Sequence, residues 1–103
     1  MGHVTKSGSI TIKNKDTGEE ATINAEDLYF EVVETDERSM GTESRHNVNN
    51  TYAFDNGGEF TLDINVWEYP NGGYNNQDVK AYGVGDTEVE VTNNLQLGID
   101  LNP

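Results

Sequence analysis

Side chains able to do acid-base or metal chemistry are plentiful here but poorly grouped: Asp and Glu number 19 and His 2, and Cys is absent. Two carboxylates facing across a cleft can cleave a glycosidic bond, provided burial raises the pKa of the one that acts as acid. Glu31, Asp63, Glu88 and Glu90 do not meet that condition, because period-two alternation puts each on the solvated side of a strand. Of the histidines, His3 lies in a polar leader. His46 sits between Arg45 and Asn47 in a charged connection, where it reads as an exposed loop residue rather than a general base or pH sensor. The chain has no G-x-S-x-G, no phosphate-binding loop and no His pair at metal spacing. Without cysteine, disulfides and thiolate metal sites are excluded. The expectation is a non-enzymatic chain with no catalytic residue, cofactor or metal.

Calcium is the one metal whose ligand types are abundant. The segments Asn14-Lys15-Asp16-Thr17-Gly18-Glu19-Glu20, Asp55 to Glu59 and Asn75-Asn76-Gln77-Asp78 all carry suitable oxygens. None follows the EF-hand pattern; the first has neither Gly at its sixth position nor Glu at its twelfth. Turns use the same residue types for Asx geometry, so these segments read as turns.

The strongest binding signal is aromatic. Trp67 and Tyr69 lie two residues apart on one strand, about 6.6 Å along the same face, and Tyr74 follows across the Pro70-Asn71-Gly72-Gly73 turn. With Asn65 and Asp63 beside them, these rings form a candidate binding patch: the rings supply contact area and the amide and carboxylate supply directional hydrogen bonds. Covered by a loop or strand, the same rings would be a secondary core.

Net charge narrows the partners. At −13, the chain repels nucleic acid and anionic membrane surfaces, which are recognised first by Lys and Arg. The same field favours a basic protein, a cationic ligand or a divalent metal, and it also keeps a small domain soluble and monomeric. Adaptation to a saline habitat would produce similar acidity. No apolar run reaches signal-peptide or membrane-spanning length, so the expected chain is soluble, with the cytoplasm favoured.

The elements that must hold the patch follow from periodicity. Between the turn signals Asp55-Asn56-Gly57-Gly58 and Pro70-Asn71-Gly72-Gly73, the residues Phe60, Leu62, Ile64 and Val66 alternate with Thr61, Asp63, Asn65 and Trp67. This predicts a strand with one apolar and one wet face, joined by a tight hairpin to a strand over Val48 to Phe54. Residues 1–8 lack periodicity and read as a flexible leader, leaving residues 9–103 as a single all-β domain. Ser9 to Ile12 and Ala21 to Ile23 form a first hairpin about Asp16-Thr17-Gly18. Leu28 opens a strand, preceded by a single helical turn near 24–28. Thr35 to Asn47 is either a loop or the ends of two long strands, reversing at Met40-Gly41, and Asn75 to Gly85 holds an edge strand. Thr87 to Thr92 and Leu95 to Leu101 form a last hairpin turning at Asn93-Asn94. Asn49-Asn50-Thr51 matches a glycosylation sequon, a chance match in so Asn-rich a chain.

One-sided apolar stripes on seven to eight short antiparallel strands predict an all-β sandwich or small barrel built from hairpins. On this reading the chain is an acidic interaction module that binds a protein partner of basic character through Trp67, Tyr69, Tyr74, Asn65 and Asp63. The alternative is a carbohydrate-binding β-sandwich using the same rings, with a structural calcium. Exposed strand edges allow a monomer or an edge-paired homodimer.

Overall fold

The computed structural model describes residues 2–39, 41–70 and 75–102. Among these are seven strands, β1 (His3–Asn14), β2 (Glu20–Asn24), β3 (Glu31–Arg38), β4 (Gly41–Ala53), β5 (Glu59–Glu68), β6 (Asn75–Gly83) and β7 (Val89–Asp100), and a 3-10 turn, Ala25–Asp27. They form two antiparallel sheets, ordered β2-β1-β7 and β3-β4-β5-β6, neither closed on itself. The all-β sandwich expected from periodicity is therefore the fold, and the barrel is not. Long strands projecting past the shared core stretch it to 49 × 24 × 17 Å.

β5 shows why the sheets face each other. Its even-numbered residues Phe60, Leu62, Ile64 and Val66 are at most 1% exposed, and Ile10, Ile12, Leu28, Val48 and Phe54 join them in the core. Covering four such side chains contributes on the order of 2 kcal/mol each, enough to bind the sheets together. The hairpin into β5 closes as its turn residues dictate. Gly57 and Gly58 adopt φ of 104° and 90°, a region closed to most residues with a Cβ. The Phe54 amide donates to the Gly58 carbonyl at 2.9 Å.

Three expectations change. The first strand begins at His3 rather than Ser9, since residues 3–8 pair continuously with β7 from His3↔Asp100 to Gly8↔Leu95. Leucines 95 and 97 supply the inward side chains that β1 lacks there. The turn expected at Asn93-Asn94 is absent, and β7 runs through it as one strand. Val89, Val91, Leu95 and Leu97 all have odd numbers, so the apolar phase never breaks, and neither Asn takes positive φ. Leu28 precedes β3 instead of opening it; it plugs the core from the 3-10 turn at 0% exposure, its amide donating to the Ala25 carbonyl. Of the two alternatives for Thr35 to Asn47, the ends of two long strands is the one that holds: they form the hairpin of β3 and β4, offset by a register shift between Val32 and Glu34. The helical turn near 24–28 and the edge strand β6 lie where the residues indicate.

Candidate functional site

β5 carries both candidate surfaces, one on each face. Outward, it presents Thr61, Asp63, Asn65 and Trp67 between β4 and β6. Trp67 is half-buried, with Arg45 and Asn76 as its cross-strand partners. Asn65 also points outward but is only 7% exposed, because Asn47 and Asp78 flank it. Its carbonyl oxygen accepts from Arg45 Nη1 at 2.6 Å and from Asn47 Nδ2 at 2.8 Å, while Asn47 Nδ2 also reaches Asp63 Oδ1 at 3.0 Å. Arg45 pairs further with Glu34 at 3.6 Å. Asn65 and Asp63 are thus committed to one another's neighbours, and they brace Arg45 beside the indole. Tyr69 is half-buried and lies just past the end of β5, so strand alternation no longer dictates its face. Tyr74 lies outside the described residues. At the far end of the same outward row, Tyr82 opposes Thr61 and is 49% exposed.

The inward face at the same end of β5 holds a group that the sequence reading missed. His46 is 4% exposed rather than a loop residue, and its Nε2 donates to Glu68 Oε1 at 2.8 Å. Glu68 Oε2 accepts from the Gly2 amide at 2.9 Å. Burial pushes the Glu68 carboxyl up, but the Gly2 amide and His46 more than offset this and hold it below the ordinary glutamate value. Ser44 lies directly opposite Glu68, is 3% exposed, and its hydroxyl makes no hydrogen bond among the described residues. Ser44, His46 and Glu68 are therefore not wired as nucleophile, base and orienter, because no bond links the hydroxyl to the imidazole. Parity could have found the group: Glu68 shares the even phase of Phe60 to Val66, and Ser44 and His46 share that of Val48.

Two clefts flank the His46–Glu68 pair. One, of about 480 Å³, is lined by Gly41, Thr42, Ser44, Glu68, Pro70 and Leu101, with Gly2 at its edge. The other, of about 360 Å³, has His46 on one wall and Lys6, Tyr29, Phe30 and Val32 around it. The Lys6 ammonium donates to the Leu28 carbonyl and lies 5.0 Å from the centre of the Tyr29 ring.

Elsewhere the carboxylates stay in solvent: Glu31, Glu88 and Glu90 are exposed, and Asp63 is half-buried. In the first loop weighed for calcium, Asn14 Oδ1 accepts from the amides of Asp16 at 2.9 Å and Thr17 at 3.4 Å, an Asx turn. Among the described residues no group of three or more His, Asp or Glu is placed to hold a metal ion, and no helix is long and apolar enough to cross a membrane. Compared with known proteins, the chain matches no family model, no curated protein and no solved structure.

Proposed function

We propose that this chain is a non-enzymatic acidic β-sandwich module that binds a protein partner through the outer face of β4, β5 and β6 around Trp67. The observation that carries the reading is how the polar groups on that face are used. Asn47, Asn65, Asp63 and Arg45 bond chiefly to each other, so these four leave little to a partner, and the ring area of Trp67 and Tyr82 stands out beside them. A hydrogen-bond-satisfied surface with aromatic anchors suits the core of a protein interface, where loose polar groups are costly to desolvate. The net charge of −13 steers basic partners toward it.

A sugar-binding reading draws on Asn49 and Asn76, exposed neighbours of Asp63 and Trp67, whose side-chain amides could address hydroxyl groups. Titrating the chain calorimetrically with a panel of purified basic proteins and, separately, soluble glycans tests both, with Trp67 emission as a second readout in the wild type. A protein partner should bind in a salt-sensitive manner and lose about tenfold or more in affinity with Trp67→Ala, a variant that keeps the wild-type circular dichroism. Glycan binding lost in the same variant would replace this reading with the sugar one. Binding indifferent to Trp67→Ala would remove the face from consideration.

A further inference from the structure

We propose that the cleft between the end of β5 and the start of β4 is a binding site for a primary alkylammonium group, with Glu68 as its counter-ion and Ser44 as a hydroxyl acceptor. It is separate from the outer face and does not rest on the protein-binding reading. Trp67 and Glu68 are consecutive on a strand and so point to opposite sides of the sheet.

Three observations converge. First, Ser44 is only 3% exposed and lines the cleft, and its hydroxyl makes no hydrogen bond among the described residues. Among the described residues no fully enclosed side-chain oxygen lacks a partner, so this hydroxyl opens onto the cleft, where it can accept from a donor that enters. Second, Glu68 faces Ser44 directly across the strand pair. A carboxylate offers about four acceptor positions, and the contacts with His46 and Gly2 each occupy one. The remaining capacity adjoins the cleft, and the carboxyl, held below its ordinary value, is charged at neutral pH.

Third, the walls suit an aliphatic stem. Pro70 and Leu101 supply apolar rim, Thr42 supplies another hydroxyl, and about 480 Å³ falls within the range of small-molecule sites. An ammonium brings three donors in a compact head, which Glu68, Ser44 and either Thr42 or water can accept. A divalent cation fits worse, because it needs several oxygen ligands and among the described residues no third acidic or histidine side chain converges here. An anion would meet the carboxylate.

The test is a heteronuclear NMR titration of the full chain with n-butylamine, with n-butanol as the neutral match. Butylamine should produce saturable shifts at Thr42, Ser44 and the Gly2 amide that butanol does not. Ser44→Ala should weaken binding about tenfold, as expected for a hydrogen bond to a charged group. Thr42→Phe, which fills the cleft from an exposed position and leaves His46 and Glu68 untouched, should abolish saturation. Glu68→Gln should abolish it too; if that variant does not fold, Ser44→Ala and Thr42→Phe decide. Repeating the titration with an Nα-acetyl-lysine amide and with a lysine-containing peptide separates a free amine from a protein side chain as the source. Equal response to butylamine and butanol, or wild-type binding by both Ser44→Ala and Thr42→Phe, overturns the proposal.

Discussion

Replacing His46 by Leu removes the imidazole while keeping a side chain of similar bulk, and it leaves the Glu68 carboxylate with the Gly2 amide as its donor and the charge of the amino terminus. The side chains of His46 and Glu68 are 5% and 10% exposed. Deleting one partner of such a pair costs about 3–5 kcal/mol. The Gly2 bond and the adjoining cleft place the expected loss at the lower end, about 3 kcal/mol. At about 4–8 °C per kcal/mol for a domain of this length, the melting temperature should fall by about 12–24 °C at neutral pH. The pH dependence gives the sharper test. In the wild type the Glu68 carboxyl sits below its ordinary value of 4.5, so its contribution is complete above that value and is lost as pH falls through the lower, folded-state value. In His46→Leu, burial acts on the carboxyl with less opposition and raises its pKa relative to the wild type. The gap in melting temperature between the two proteins should therefore be widest near neutrality and shrink below about pH 4.5. Lys6, which faces His46 across the second cleft, and the His3–Asp100 pair are common to both proteins and drop out of the difference. Calorimetric melts at about pH 7 and about pH 3.5 supply the comparison. A double variant, His46→Leu with Glu68→Met, should recover most of the loss, since an apolar pair can replace a buried polar one at little cost. A gap that stays constant across that pH range would refute the reasoning.

Two further variants probe the frame. Gly8 and Gly18 both take positive φ, but a Cβ at Gly18 meets open space, whereas at Gly8 it collides with the Asn94 carbonyl oxygen on β7. Gly18→Ala should cost about 1 kcal/mol from backbone conformation, and Gly8→Ala about 3 kcal/mol because two paired strands must part; denaturant melts giving equal losses would show that β1 and β7 are not paired at that point. The Glu19 carboxylate accepts from the amides of Asp55 at 2.8 Å and Asn56 at 2.9 Å, tying the first hairpin to the turn before β5. Glu19→Ala should cost about 1 kcal/mol and speed hydrogen exchange at those two amides ahead of the rest of β4 and β5, and unchanged exchange there would rule the tie out.

Much of the fold was legible because a half-buried strand writes its burial in alternate letters. Phe60 to Val66 marked the core face and Asp55-Asn56-Gly57-Gly58 the hairpin, since both signals are local. What escaped was set by distant partners. Residues 3–8 offer only Val4 as an apolar inward residue, and they are ordered by backbone pairing with β7, almost the whole chain away. Asn93, the polar letter that suggested a turn, keeps the odd phase opposite Ile10 on an exposed stretch of β7, and its side-chain oxygen accepts from the Leu95 amide without turning the chain. His46 and Glu68 were hidden for a related reason: a charged residue on an apolar phase is read as an end to the pattern, when here each makes the other tolerable inside.

That division explains why the candidate surfaces can be separated by mutation. Successive residues on β5 serve opposite faces, so Trp67 can be truncated without removing a contact of Glu68, and Glu68 can be neutralised without uncovering the indole. The outer network of Arg45, Asn47, Asp63 and Asn65 runs over β4 and β5 and reaches Glu34 on β3, whereas Glu68 on the inner face bonds to His46 and Gly2. No side-chain hydrogen bond among the described residues joins one network to the other. Ser44 and Trp67 are near neighbours across the β4–β5 pair, but their side chains lie on opposite faces and share no partner, so effects of Trp67→Ala and Ser44→Ala on stability should add within about 0.5 kcal/mol. A coupling well beyond that would mean that the backbone of β5 shifts when either face is disturbed, making the two surfaces one responsive unit.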